Sequence, residues 1–238
     1  DFRMYLQPKF ILGERHVYGA EALARWKRPD GTILPPAYFM DSLEKIGYIT
    51  ELDFYIFEEV LKTLDKWERQ KRRKLVISTN FSGRHFDTDG EEFLDRIQHI
   101  FSKYTVPAEY VEIEVTEGVL VKNVHVLERC VNRLHEIGFR VSIDDFGTGY
   151  SSLSVLADMP ADVVKIDKSF INKDMNGKKM DLLYEIGRMV KILQKDIIIE
   201  GVETEEQEKL LINGGFTCGQ GYLCNRPIPI GKFERLYL

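Results

Sequence analysis

Residues 110–146, YVEIEVTEGVLVKNVHVLERCVNRLHEIGFRVSIDDF, decide the fold. Within them "YVEIEVTE" (110–117) is a short β-branched run of strand type, and "NVHVLERCVNRLHEIG" (123–138) has helical period and stops at a glycine. "FRVSIDDF" (139–146) is strand type again. Strand, helix, strand at this spacing predicts parallel strands joined by a helical crossover. The same rhythm extends outward. Further strand candidates are "RMYLQPKF" (3–10), "VYGAEALARW" (17–26), "LVISTNFS" (75–82), "DVVKIDKS" (162–169), "DIIIEGVE" (196–203) and the short "TCGQGY" (217–222). Helical candidates cover 35–47, 51–70, 90–104, 181–194 and 205–215. Eight strand candidates in 238 residues favour a closed (β/α)8 barrel over an open doubly wound sheet.

No Pro/Gly/Ser linker or compositional shift divides the chain, so residues 1–238 are expected to form one domain. The first residue is Asp1 and a strand candidate follows at once, which reads as a domain cut from a longer protein. Hydrophobic residues make up 44% and charged residues 30%, with no apolar run long enough for a bilayer. The formal net charge of −5 gives no general attraction to a nucleic-acid polymer or an anionic membrane. Cys130, Cys218 and Cys224 are odd in number and lack metal-type spacing, so a disulfide framework or zinc site is not expected. That usage fits a reducing, cytoplasmic setting, whether or not a full-length protein is tethered to a membrane.

Polar residues fall at one end of the strand candidates: Glu21, Asn80, Glu114 and Glu117, Asp144 and Asp145, Lys165 and Asp167, then Glu200. In a parallel barrel these converge on the C-terminal rim, where active sites of this fold are built. So many carboxylates around one cavity repel one another and call for a cation. Oxygen-only ligands suit Mg²⁺ or Mn²⁺, and the number of acids suits two ions, an arrangement used in phosphodiester hydrolysis. Taken singly, Glu117, Asp167 or Glu203 is more simply a cap or loop ion pair, Asn80 a turn residue and Lys165 a counter-ion. Only the ensemble points to a site. None of the five histidines lies at a strand end, which argues against a His base. Ser151 and Ser152 lack a G-x-S-x-G setting and a placed His, which argues against a serine nucleophile.

Seven motifs in order, "EALAR" (21–25), "TNFS" (79–82), "EVTE" (114–117), "DDFGTGYSS" (144–152), "KID" (165–167), "EGVET" (200–204) and "QGY" (220–222), resemble the EAL-domain family. The family comprises phosphodiesterases that hydrolyse cyclic di-GMP to linear pGpG in bacterial signalling. The resemblance implies a modified TIM barrel whose first strand runs antiparallel to the rest. It implies that Glu21, Asn80, Glu114 and Asp144 ligate one metal, and that Asp144, Asp145 and Glu200 hold a second. Lys165 and Glu200 are then the candidates for managing the proton of the attacking water, and Gln220 supports the site. Arg25 and Gln7 would contact substrate, and Glu117 would anchor the loop after "DDFGTG". A homodimer and an upstream regulatory domain are further expectations of this resemblance. Ala24 and Ile199 stand where the family more often has Leu and Ala; neither is an implied ligand.

Two other classes of function compete. A silent cyclic di-GMP receptor would keep the pocket but break the ligand set or degrade the "DDFGTG" loop, and this chain does neither. A glycosidase on the same barrel would use one acid pair, leave Asn80 and Lys165 unused, and work without metal.

Overall fold

A computed structural model describes residues 1–149, 153–171 and 177–238, with the side chain of Leu153 excluded; Tyr150, Ser151 and Ser152 of the 144–152 motif lie outside them. The strands are β1 (Phe2–Ile11), β2 (Val17–Lys27), β3 (Ile33–Leu34), β4 (Val76–Phe81), β5 (Val111–Thr116), β6 (Arg140–Phe146), β7 (Val163–Ile166), β8 (Asp196–Glu200), β9 (Cys218–Gln220) and β10 (Ile228–Pro229). The helices are α1 (Met40–Lys45), α2 (Ile49–Arg69), α3 (Glu91–Phe101), α4 (Glu117–Lys122), α5 (Val124–Ile137), α6 (Leu153–Asp158), α7 (Lys178–Ile192), α8 (Glu205–Asn213) and α9 (Ile230–Tyr237).

Eight strands close a barrel in the order β1, β2, β4, β5, β6, β7, β8, β9 and back to β1, while β3 and β10 extend it as short flanking pairs. Neighbours from β2 round to β9 pair parallel. β1 pairs antiparallel with both β2 and β9, as the family resemblance implies. Residues 12–16 between β1 and β2 are too few for a crossover, so these two strands must form a hairpin. β2 pairs with β4 only through Gly19–Ala22, and its upper half runs on as a ribbon with β1. Glu21 therefore sits at the barrel mouth although it is in the middle of its strand.

The helices cover the barrel. The longest, α2, buries Phe57, Val60 and Leu61 on one face, and Ile77, Ile113, Val141 and Val164 on the parallel strands are likewise buried in the common core. Burying each such side chain contributes about 1.5–3 kcal/mol. α5 ends as expected on a glycine, Gly138, at φ 103°. α4, α6 and α9 are additions to the sequence reading: six to eight residues are too short for a helical period to stand out. No helix among the described residues is long and apolar enough to cross a membrane.

Candidate active site

The mouth of the barrel is shaped first by β6. Its register with β7 shifts between Ile143 and Phe146, and Asp145 takes φ 55° inside the strand. A bulge of this kind inserts one residue and re-aims its neighbours, and Asp is among the residues that tolerate a left-handed backbone. Adjacent aspartates thereby escape pleat alternation and both reach one cluster. The turn that frees them lies at Asp145 itself; Gly147, at φ 95°, serves the loop beyond.

Gly147 cannot be replaced cheaply. A Cβ there would lie 2.4 Å from the Phe170 ring, and its backbone is already left-handed. The N–H groups of Gly147 and Gly149 both donate to Glu117 Oε2, at 2.8 and 3.0 Å. Gly147→Ala is expected to destabilise the fold by about 1–3 kcal/mol. Urea denaturation in chelator measures this, and a native midpoint would contradict the packing.

Four carboxylates surround one buried ammonium. Lys165 Nζ lies 2.9 Å from Glu114, 3.0 Å from Asp144, 2.9 Å from Glu200 and 3.4 Å from Glu21. Behind them Lys9 Nζ, equally buried, lies 2.8 Å from Glu112 and 2.9 Å from Glu114. Two lysines against five carboxylates leave a strong excess of negative charge, and protonation states respond to it. Burial opposes the charge on Glu114, yet Lys165 and Lys9 outweigh it and hold that carboxyl at about 2. For Glu200 burial wins: with Asp144 and Glu21 adding repulsion, its carboxyl is pushed up to about 8 despite Lys165. Burial also raises Glu21 and Asp144. Lys165 loses by desolvation but gains more from Asp144, Glu114, Glu200 and Glu21, so it stays firmly protonated.

The geometry fits divalent cations. Ligand oxygens of Glu21, Glu114 and Asp144 lie within 4.8 Å of one another, as do those of Asp144, Asp145 and Glu200. The two sets share Asp144. The donors are all hard oxygens, as Mg²⁺ and Mn²⁺ prefer. Asn80 lies beside the first set, its Nδ2 donating to Glu21 Oε1 at 2.7 Å.

The other expected residues fall around this centre. Gln220 donates to Gln7 Oε1 at 3.3 Å and to Glu21 Oε2, and its own buried Oε1 has no hydrogen-bond partner among the described residues. Arg25 lies two residues along the same strand face from Leu23, half-buried over the Tyr5 ring, and donates to its own Ala24 carbonyl at 2.8 Å. Asp167 caps a 3₁₀ turn through Ser169 N–H, the simple role weighed for it above. Glu200 ends β8, and the chain beyond it enters a firmly capped helix: Thr204 and Gln207 form a capping box at the start of α8. Two cavities, of about 330 and 240 Å³, flank the cluster, and Glu21 and Asp145 line both. A further cavity, of about 460 Å³ beside Phe2, Tyr48 and Tyr55, holds none of these residues.

Several partners escaped the sequence reading. Lys9 and Glu112 form the charged floor of the site; counting β5 by twos from Glu114 would have put Glu112 on the same face. His85 follows β4 in a 3₁₀ turn and pairs with buried Asp53 at 3.1 Å, while Asp53 also accepts from Ser82 N–H. His85 thus braces the loop after Asn80 without touching the acids. His135 on α5 is half-buried and pairs with Asp162 at 2.9 Å.

Comparison with known proteins agrees with this architecture. The chain is 36% identical over its whole length to the signaling protein YkoW of Bacillus subtilis, of which it covers 29%. It is 32% identical over 235 residues to the cyclic di-GMP phosphodiesterase NbdA of Pseudomonas aeruginosa, covering 98% of this chain and 30% of that one. It thus spans about a third or less of the length of these curated relatives. Among solved structures, the PaMucR phosphodiesterase in complex with c-di-GMP superposes with a TM-score of 0.91 at 29% identity, covering 98% of this chain and 94% of that one. The EAL domain model matches residues 1–227, a span that includes the reversed first strand and every acid of the cluster. By fold and by sequence, therefore, the chain belongs to the EAL domain family.

Proposed function

We propose that this chain is a metal-dependent phosphodiesterase that hydrolyses cyclic di-GMP to linear pGpG. The observation that carries the reading is the pair of oxygen-only ligand sets sharing Asp144 beside a buried lysine. A binding module needs cavities; it does not need this excess of ionisable acid under a single ammonium. The flanking cavities suit a ligand with two halves, its scissile bond over the acids between them.

In this reading Glu21, Asn80, Glu114 and Asp144 hold one Mg²⁺ or Mn²⁺, and Asp144, Asp145 and Glu200 hold a second. The cations, when bound, acidify water and withdraw charge from the phosphodiester. Lys165 keeps its proton and donates to the oxygens gathered over the acids. Glu200, its carboxylate 2.9 Å from Lys165, stands where it can take a proton from the attacking water. The water oxygen bonds to phosphorus, the bond to the ribose 3′ oxygen breaks, and that oxygen takes a proton from solvent to become a hydroxyl, while a 5′-phosphate remains and Glu200 returns its proton to solvent. Arg25 offers a planar fork to phosphate charge that the acids cannot meet. Gln7 and Gln220 fix the orientation of Glu21, and Glu117 holds the loop that follows Asp145.

Incubation with cyclic di-GMP and Mg²⁺ or Mn²⁺, followed by chromatography, tests the proposal. Linear pGpG is expected, and its formation should stop in chelator. Tight binding with no product under either metal would make the chain a receptor, and turnover that survives chelator would exclude the metal mechanism.

A pH dependence follows from Glu200. Its ordinary value of 4.5 is moved to about 8, so below pH 8 a cation must displace a proton. Affinity for Mn²⁺ is expected to rise about tenfold per pH unit from about pH 6 to pH 8 and then level off. The sign for the metal-free fold is opposite: between about 4.5 and 8 the folded state keeps a proton that the unfolded chain has lost, so stability falls as pH rises. Isothermal titration of Mn²⁺ at several pH values measures the first effect, and a slope unchanged in Glu200→Gln would refute the assignment.

A further inference from the structure

We propose that Lys9 is a positioning residue for the metal site, holding Glu114 so that only one of its carboxylate oxygens is available there. Lys9 sits on the reversed strand β1, paired in register with Gln220, and is 1% exposed. Its Nζ lies 2.9 Å from Glu114 Oε1, while the other oxygen, Oε2, lies 2.9 Å from Lys165. Glu114 is fully buried, and its two oxygens are divided between two ammonium groups. A carboxylate gripped on one oxygen cannot rotate to chelate an ion with both. The inference rests on the metal-dependent reading above and adds to it a residue that none of the seven motifs contains.

Glu112 makes the arrangement workable. A bare ammonium beside a cation site repels the ion, but Glu112 Oε1 accepts from Lys9 at 2.8 Å and cancels that charge locally. The pair acts through hydrogen bonding and geometry, with little net field. Lys9 is packed on the floor, 1% exposed, and lines neither of the cavities flanking the cluster, so it does not touch substrate. Its effect passes through Glu114, as for the outer partners that orient metal ligands generally.

A charge-balanced pair of substitutions separates positioning from stability. Lys9→Met alone strands two buried glutamates and is expected to lower stability. Lys9→Met with Glu112→Gln removes one charge of each sign and should recover much of it. Binding of Mn²⁺ alone, without substrate, is then measured by isothermal titration or by electron paramagnetic resonance, alongside melting in chelator. Native protein should bind Mn²⁺. The double variant should bind it about 10–100-fold more weakly, and Glu112→Gln alone, which keeps the Lys9–Glu114 bond but uncovers the ammonium charge, should lose less than the double variant. Native affinity in the double variant would overturn the role of Lys9 while leaving the metal reading intact. Loss in Glu112→Gln equal to that in the double variant would also overturn it, because the effect would then follow Glu112 and not the bond between Lys9 and Glu114. Failure of the native protein to bind Mn²⁺ would instead remove the functional reading itself.

Discussion

Asp144→Asn is expected to lower cyclic di-GMP hydrolysis by at least about a thousandfold, equivalent to about 4 kcal/mol of transition-state stabilisation. Among the described residues Asp144 alone is common to both ligand sets, so losing its charge weakens both at once. Asparagine has nearly the same shape, and the bulge at Asp145 does not depend on charge. Folding should therefore survive. Burial and the neighbouring acids Glu114 and Asp145 raise the Asp144 carboxyl, against the pull of Lys165, so ionising it is costly in the metal-free state. In chelator the variant should melt no lower than native protein, although Lys165 gives up one of its four partners. Steady-state turnover and a melting curve on the same preparation measure both effects. Near-normal turnover would sink the shared-carboxylate assignment, and a large drop in melting temperature would show that Asp144 is chiefly structural.

Much of this site was legible because its residues sit at strand ends, and strand ends in a barrel share one rim. The parallel rhythm around residues 110–146 placed Glu114, Asp144, Lys165 and Glu200 together before any coordinates. The reversal of β1 was implied by family resemblance, yet its physical cause was also present: residues 12–16 leave no room for a crossover. Other features depend on distances that no local pattern carries. The left-handed Asp145 is a register event between two strands, which no local pattern marks. Lys9 lies beside Gln220 in register but 211 residues away in the chain, and it meets Glu112 only across the closed barrel. His85 and Asp53 come from separate elements in the same way. Glu21 was placed correctly at the rim for an incomplete reason, since β2 runs past it and only the pairing with β4 stops there.

Lys165→Met is expected to harm both fold and chemistry, and the two losses should respond differently to metal. Methionine matches the apolar stem of lysine but leaves Glu21, Glu114, Asp144 and Glu200 without their common counter-ion. Breaking a buried pair from one side costs about 3–5 kcal/mol, which for a chain of this size lowers the melting temperature by roughly 6–20 °C. The loss in chelator should be larger at pH 8 than at pH 6, because more of the acids must then be ionised with nothing to oppose them. Glu200, already held near 8 with the lysine present, should move higher still. Added Mn²⁺ is expected to restore much of the melting temperature, since the cations supply the missing positive charge. Turnover should stay about 10²–10⁴-fold low even at saturating metal, because a bound ion does not replace the N–H donors of Lys165. A variant whose stability and turnover recover together on adding Mn²⁺ would reduce Lys165 to a counter-ion. A variant that stays inactive while its melting temperature returns would place the lysine among the groups that act on the reacting water.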